Sequence, residues 1–388
     1  MKYSSSNRSH IVAFIIEELS VGGAEQMLLA MANEFVELHW EVHVVCLKDA
    51  GELASTLNDA AQLHVLGKSP GVDLGLPGRL YRCLRSINPI CVNSHLWVAN
   101  LWTRIALLRS SIPVIATEHS RDTWKPRHYL LIDRLLAFRT AALVAVSEDT
   151  ASFYRDTVGV SDAKVRVINN GVDTKRYAAG AGGQLRQQWI DASGKEGEHP
   201  ASSTVLLGTV GRMVRAKNQR RLIDALHLLV EDQALANYLI KLVIVGDGPE
   251  REDIEQYVKS LGLEQVVIFA GTRHDIPDVL AAFDVFVLSS DREGHPLTAL
   301  EAQAAGTPVV LTDAGGSRDA IAVDGDQCGG ELVDCNAEAL AEALARIIAD
   351  TDLRRSRAQF AQQYALANFD KSHMVQRYVG LFNEHSNV

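Results

Sequence analysis

Two glutamates, Glu293 and Glu301, stand eight residues apart in the stretch Glu-Gly-His-Pro-Leu-Thr-Ala-Leu-Glu. Carboxylates at that spacing can receive hydroxyls on either side of a bound anion. Pro296 suits the first turn of a helix, where its missing N–H is no loss. The pattern predicts a helix over 297–305 that stops at Gly306. Glu293 then lies on a loop after the apolar run Ala-Ala-Phe-Asp-Val-Phe-Val-Leu-Ser-Ser, and Glu301 lies one turn inside the helix. Between them, the backbone N–H groups near Leu297 and Thr298 form a positive helix end able to hold an anion. A phosphate flanked by sugar hydroxyls on both sides fits this arrangement, and nucleotide sugars have that layout.

A second anion site is expected upstream. Arg212 and Lys217 flank a loop after an apolar run over 205–211, and a helix begins near Asn218, a good cap. Arg can grip a phosphate through two N–H groups, and Lys adds a point charge; the plainer reading is a basic surface loop. His119 closes another apolar run, at the strand end where open α/β sheets place ligand groups, although a lone histidine there is often structural. Gly22 and Gly23 separate the first strand from its helix and let backbone approach a ligand. They do not complete a dinucleotide fingerprint. The third glycine is absent, and Asp49 and Glu52, which follow the second strand, do not rescue the pattern. Glu25 either meets an acceptor or stabilises its helix N-terminus. Gly246-Asp247-Gly248-Pro249 reads as a tight strand-to-helix turn.

Alternating strand and helix patterns must position these groups. In the first half, strands are expected over 10–16, 42–47, 90–94, 114–117, 143–147 and 165–168, with helices over 24–38, 79–87, 98–108, 129–138 and 148–158. In the second half, strands are expected over 205–211, 239–245, 266–270, 285–289 and 308–312. Continuous Val/Ile/Leu runs indicate strands buried on both faces, hence parallel sheets. The expectation is α/β, with two doubly wound Rossmann-like domains, 1–171 and 172–370, divided after the turn signal Asn170-Gly171. Residues 178–203, rich in Gly, Ala and Ser, read as irregular structure opening the second domain, and 371–382 as a final helix.

The glutamate spacing with Gly-His-Pro after the first Glu resembles the retaining glycosyltransferases of family 4. Four further blocks agree in order: Gly22-Gly23-Ala24-Glu25, Glu118-His119, Asn170-Gly171-Val172-Asp173, and Gly211-Arg212 with Lys217-Asn218. The resemblance spans nearly the whole chain. It implies the GT-B fold, two Rossmann-like domains facing a central cleft, with the acceptor on the first and the nucleotide sugar on the second. It also implies that the C-terminal helix, 371–388, returns to the first domain. By this resemblance Arg212 and Lys217 bind the donor diphosphate, Glu301 the ribose, and Glu293 the donor sugar with the N–H groups of Gly294 and His295. His295 itself has at most a lining role, and His119 contacts the donor sugar. Arg273 and the Gly246–Gly248 turn lie near the base. Catalytic roles fall to His119, Arg212, Lys217 and Glu293. The donor set is Gly22, Gly23, Arg273, Gly294, His295, Leu297, Thr298 and Glu301. The expected reaction retains anomeric configuration by front-face substitution, with the departing phosphate oxygen helping deprotonate the acceptor.

Composition narrows the partners. No Asp-x-Asp stands at a strand end and no His/Cys/Asp cluster has metal spacing, so a metal-independent transferase with no cofactor is expected. A formal net charge of −10 argues against a general nucleic-acid binder. No apolar run reaches the ~20 residues that span a bilayer, the N-terminus lacks a signal peptide's apolar core, and five cysteines without C-x-x-C fit a reducing cytosol. Residues 79–139 nevertheless carry ten Lys/Arg against three Asp/Glu, with Trp97, Trp102 and Trp124. Such a stretch is either a solvated face or a patch for anionic lipid with aromatic anchors. The functional expectation is transfer from a UDP-sugar, or else a GDP-sugar, to a glycan or lipid-linked acceptor in cell-surface polysaccharide synthesis, at the inner face of the membrane. The alternatives are a nucleotide-sugar 2-epimerase of the same fold, a dinucleotide-dependent dehydrogenase, and a non-catalytic partner that binds nucleotide sugars.

Overall fold

The structure is a computed structural model and describes residues 10–121, 123, 125–191 and 204–386. The chain divides into two compact units, 1–171 with 371–388, and 172–370.

The apolar runs of the first unit become seven strands: β1 (Ile11–Ile16), β2 (Glu41–Cys46), β3 (Gln62–Val65), β4 (Cys91–His95), β5 (Val114–Glu118), β6 (Ala142–Ala145) and β7 (Val165–Val167). They pair in parallel in the order β3-β2-β1-β4-β5-β6-β7. This is a doubly wound sheet whose order reverses between β1 and β4. The C-terminal strand ends at that switch point form the crevice in which such sheets bind ligands. Sequence periodicity passes over β3 because its residues are mostly exposed at the sheet edge. The helix Lys371–His385 belongs to this unit. Its Phe382 ring lies 5.4 Å from Phe35 and 6.3 Å from Phe14, and Lys371 pairs with Glu34 at 2.8 Å.

The second unit repeats the plan with β8 (Thr204–Val210), β9 (Leu239–Val245), β10 (Val267–Gly271), β11 (Val285–Leu288) and β12 (Val309–Thr312). A small hairpin, β13 (Val323–Asp324) and β14 (Gln327–Cys328), precedes β15 (Gly330–Val333). The six-stranded sheet runs β10-β9-β8-β11-β12-β15, all parallel, and reverses between β8 and β11. Its apolar core forms two buried clusters. The expectation of irregular structure over 178–203 fails at Gly183–Asp191, which is helical. Trp189 on that helix stacks on Phe283 at 5.8 Å, while Lys241 Nζ donates to the carbonyls of Trp189 and Ile190 and caps the helix end. Tertiary packing and a buried cation override the weak local periodicity there. Residues 192–203 of that stretch lie outside the described residues. Among the described residues, no helix is long and apolar enough to cross a membrane.

Candidate functional site

The residues of the second unit selected from the sequence fall on loops or helix starts at the C-terminal ends of its strands, except Glu301, which lies one turn inside the helix Leu297–Ala304. After β8 the chain turns through Gly211 and Met213 into a short 3-10 turn, Arg215–Lys217, and then into the helix Gln219–Glu231. Asn218 caps that helix, accepting from the Arg221 N–H at 3.2 Å. The turn after β9 holds this loop from behind. Gly246 has φ +129° and lies so close that a Cβ there would meet the Gly211 carbonyl at 2.1 Å. The Met213 N–H donates to the Asp247 carbonyl at 2.9 Å. The Gly246–Gly248 turn therefore sets the backbone of the Arg212 loop. Arg212 is exposed, and its guanidinium makes no hydrogen bond or ion pair with the described residues.

Glu293 is brought to Lys217 by a clamp between the β8 and β11 loops. Ser289 Oγ donates to the carbonyls of Lys217 and Asn218, while Arg221 donates to the Ser289 carbonyl and pairs with Asp291 at 2.6 Å. With both backbones fixed, Lys217 Nζ stands 2.6 Å from Glu293 Oε1. Ser290 Oγ donates to the same oxygen at 2.6 Å. The backbone of Glu293 is tied on both sides to the β12 loop, its N–H to the Ala314 carbonyl and its carbonyl to the Gly316 N–H. The carboxylate is only 8% exposed, so its position is over-determined.

The helix Leu297–Ala304 follows. Pro296 is its N-cap rather than its first helical residue; its φ of −69° suits entry to the helix, and its carbonyl accepts from the Ala299 N–H. The helix ends at Gly306, whose φ is +80°. The N–H groups of Leu297 and Thr298 lie in the first turn, where a helix offers them no internal acceptor. Glu301 is buried, and the Tyr177 hydroxyl donates to its Oε1 at 2.7 Å. Burial raises the Glu301 pKa, and the Tyr177 hydrogen bond and nearby Arg176 oppose the shift. The His295 ring is buried beside the Asp319 carbonyl, 3.2 Å from Nε2, and burial lowers its pKa to about 4. Gly294 is buried. Arg273 is engaged locally, in a two-pronged pair with Asp275 at 2.8 and 2.5 Å and over the Trp189 ring.

In the first unit, Gly22 is the N-cap of the helix Gly23–Glu37, and the Glu25 carboxylate folds back over it, 2.3 Å from where a Gly22 Cβ would stand. That is the placement of a carboxylate stabilising a helix N-terminus. His119 follows β5 and lines a cavity of about 340 Å³ together with Glu17, Leu96, Trp97, Glu118 and Ser120. Leu96 has φ +69°, a backbone that residues with side chains seldom adopt and one that clusters at functional sites. His119 Nε2 lies 3.1 Å from His95 Nδ1. Burial lowers the His119 pKa to about 4, and the fully buried His95 lies well below the usual range.

The aromatic anchors expected in the basic stretch are corrected. Trp102 is buried in the core. Trp97 stacks on Tyr129 at 4.4 Å and donates to Asp133 at 3.1 Å. Trp124 lies outside the described residues. Several cations of the stretch also face inward. Arg104 and Lys125 share the buried Asp133 at 2.6 and 3.1 Å, Arg139 donates to three carbonyls, and Arg79 pairs with Asp73. The exposed apolar groups are instead Leu131 (55%), Leu135 (63%) and Phe138 (69%), on or just after the helix Arg127–Leu136. Arg127 and Arg134 are exposed on the same helix.

Residues 21–176 match the family model described as Glycosyltransferase Family 4, and residues 195–364 the model described as Glycosyl transferases group 1. This chain belongs to the family 4 glycosyltransferases. The enzyme is 26% identical over 345 residues to UDP-Gal:alpha-D-GlcNAc-diphosphoundecaprenol alpha-1,3-galactosyltransferase of Escherichia coli, covering 85% of this chain and 86% of that one. It is 27% identical over 399 residues to D-inositol 3-phosphate glycosyltransferase of Salinispora arenicola (strain CNS-205), covering 94% and 87%. Among solved structures, Anabaena Alr3699/HepE in complex with UDP and glucose superposes with a TM-score of 0.81 at 23% identity, over 97% of this chain and 100% of that one. The fold of this glycosyltransferase is GT-B.

Proposed function

We propose that this glycosyltransferase moves a sugar from a nucleotide diphosphate sugar, UDP first and GDP second, to a glycan or lipid-linked acceptor in cell-surface polysaccharide synthesis. One observation carries the donor reading: Lys217 and the buried Glu293 meet at 2.6 Å on the strand ends from which the helix bearing Glu301 begins. In this reading, Arg212, Lys217 and the N–H groups of Leu297 and Thr298 neutralise the diphosphate as it departs. Preorganised stabilisation of that charge is the main catalytic contribution. Glu301, oriented by Tyr177, takes ribose hydroxyls. Glu293 takes sugar hydroxyls, with Gly294 and His295 beside it. Arg273, paired with Asp275, serves the base side through backbone. Gly22 and Gly23 let backbone approach the ligand, and His119 meets a sugar hydroxyl. The first unit takes the acceptor and the second the donor. Configuration is retained by front-face substitution without a metal.

The relatives support the nucleotide and the acceptor class by their names. One is a UDP-Gal-dependent enzyme of a diphosphoundecaprenol substrate, and a fold neighbour was crystallised with UDP. For membrane contact the reading turns to the helix Arg127–Leu136, where Leu131, Leu135 and Phe138 stand beside Arg127 and Arg134. That is the chemistry of an interfacial helix on anionic lipid. A donor screen tests the whole reading: thermal shift with UDP, GDP and ADP, then turnover with the corresponding sugars. No shift and no turnover with any of them would overturn it.

A further inference from the structure

The cavity beside His119 is lined by hydrogen-bond acceptors, and a buried chain of side chains dictates how His119 faces it. The chain starts at Asn93, on β4. Its Nδ2 donates to the Ile115 carbonyl at 3.1 Å and to Thr117 Oγ1 at 2.9 Å. A carbonyl can only accept, so the amide cannot be turned over, and Oδ1 must face His95 Nε2, 2.8 Å away. An amide oxygen also only accepts, so His95 carries its proton on Nε2. His95 is fully buried in a site that disfavours a charged ring, which leaves Nδ1 as a lone pair. That lone pair lies 3.1 Å from His119 Nε2, which must therefore be the N–H. The neutral His119 ring then presents Nδ1 as an acceptor.

We infer that Asn93 and His95 are positioning residues which hold His119 in the tautomer with a bare Nδ1, making the cavity a receiver of hydroxyls from an uncharged sugar. The rest of the lining agrees. Glu17 and Glu118 are carboxylates, and no lysine or arginine lines the cavity among the described residues. The Glu118 carboxylate is oriented in the same manner. Asn100 donates through Nδ2 to the Thr117 carbonyl at 3.0 Å and to Glu118 Oε1 at 2.9 Å, and accepts from Ser94 Oγ at 2.6 Å. A hydroxyl can donate to each of these groups, whereas a carboxylate or phosphate would meet the Glu118 carboxylate, a lone pair, and the Glu17 carboxylate, whose charge Lys68 offsets in part at 3.1 Å. A uronic acid or a sugar phosphate is therefore disfavoured at this position. This inference rests on the transferase reading for the identity of the ligand as a sugar, and not for the tautomer.

The test begins on the wild-type protein without substrate, by long-range proton–nitrogen correlation on histidine labelled with nitrogen-15, the His119 signals being assigned with His119→Gln. A bare Nδ1 and a protonated Nε2 are expected. A protonated Nδ1 would overturn the inference even if transferase activity is found, and the expected tautomer in a protein that turns over no nucleotide sugar would sink the transferase reading alone. Asn93→Asp places a carboxylate against His95, draws a second proton onto it, and should reverse the His119 tautomer. The kcat/KM should then fall roughly tenfold, the worth of one ordinary hydrogen bond, while the thermal shift with UDP is unchanged. If that variant does not fold, the wild-type spectrum decides. UDP-glucose, GDP-mannose and methyl α-D-glucopyranoside serve as separate probes of the Nδ1 resonance. Movement with a nucleotide sugar marks the donor sugar as the source of the hydroxyl, and movement with the glycoside alone marks the acceptor. Movement with glucuronate, or none at saturation with any of these three probes, whose hexoses are all uncharged, would overturn the assignment of the cavity.

Discussion

Replacing Lys217 with methionine separates a structural role of the Lys217–Glu293 pair from a chemical one. Methionine keeps most of the apolar stem and removes the charge. Glu293 is 8% exposed and Lys217 Nζ holds its Oε1 at 2.6 Å, but the lysine side chain is 26% exposed, so solvent screens part of the pair. Ser290 still donates to the carboxylate after the change. The stability lost should therefore be about 1–3 kcal/mol, the range for a hydrogen bond to a charged group and below that for a fully buried ion pair. If Lys217 also neutralises a departing diphosphate, kcat should fall roughly 10²–10³-fold, as for other single groups that stabilise developing charge. Glu293→Gln, alone and in the same background, separates the two, because Glu293→Gln alone keeps Lys217 and sets the turnover lost with the sugar contact. The double variant has no unpaired charge, so its melting temperature should recover most of the loss while turnover stays down. Steady-state kinetics with the donor found in the screen, alongside thermal melts of all four proteins, provide the readout. Turnover recovering together with stability would show that the pair only holds the loops, and the electrostatic argument would be refuted.

Other outcomes are expected. Tyr177→Phe removes the donor to the buried Glu301 carboxylate, and nucleotide affinity should drop about fivefold to tenfold in calorimetric titration; unchanged affinity would detach Glu301 from the ribose. Activity should survive EDTA, and loss restored by Mg²⁺ or Mn²⁺ would reveal a metal requirement. Acid should destabilise the fold through its buried histidines. His119 and His295 titrate at about 4 when folded against about 6.5 unfolded, so the unfolded chain binds more protons between those values. Their stabilisation is complete above pH 6.5 and falls by up to roughly 3 kcal/mol each as the pH drops to 4. Melts of His119→Gln and His295→Gln should accordingly decline less over that window than wild type, and parallel declines would contradict the shifts. Co-sedimentation with anionic vesicles at low salt should weaken in Leu131→Ser/Leu135→Ser and in Arg127→Glu/Arg134→Glu. It should also weaken at 1 M salt, where the Debye length shrinks to about 3 Å; indifference to all of these would leave the helix a solvated face.

Local sequence determined a good deal here, for reasons that are themselves local. A strand buried on both faces must be apolar throughout, so all eleven expected strands reappear with ends within a residue or two. Glycine, proline and asparagine act on their own backbone, so the helix near Asn218 and the one ending at Gly306 were legible before any contact was known. Edge elements were not. β3 and β15 bury too little to show a pattern, and Gly183–Asp191 is held by Lys241 and Phe283 from strands and loops elsewhere in the chain. Tertiary structure alone decided what each polar group meets. Tyr177 reaches Glu301 from 124 residues away, and His95 reaches His119 from the neighbouring strand. His95 at a strand end was as visible as His119, yet only the sheet order brings their rings together. The tryptophans show the same limit from the other side. Their spacing in a basic stretch suggested a surface, but a side chain's exposure depends on what packs over it, and Asp133, Tyr129 and the core cover Trp97 and Trp102. Backbone preferences act within a few residues and can be read along the chain, whereas burial and hydrogen-bond partners are properties of the packed sheet.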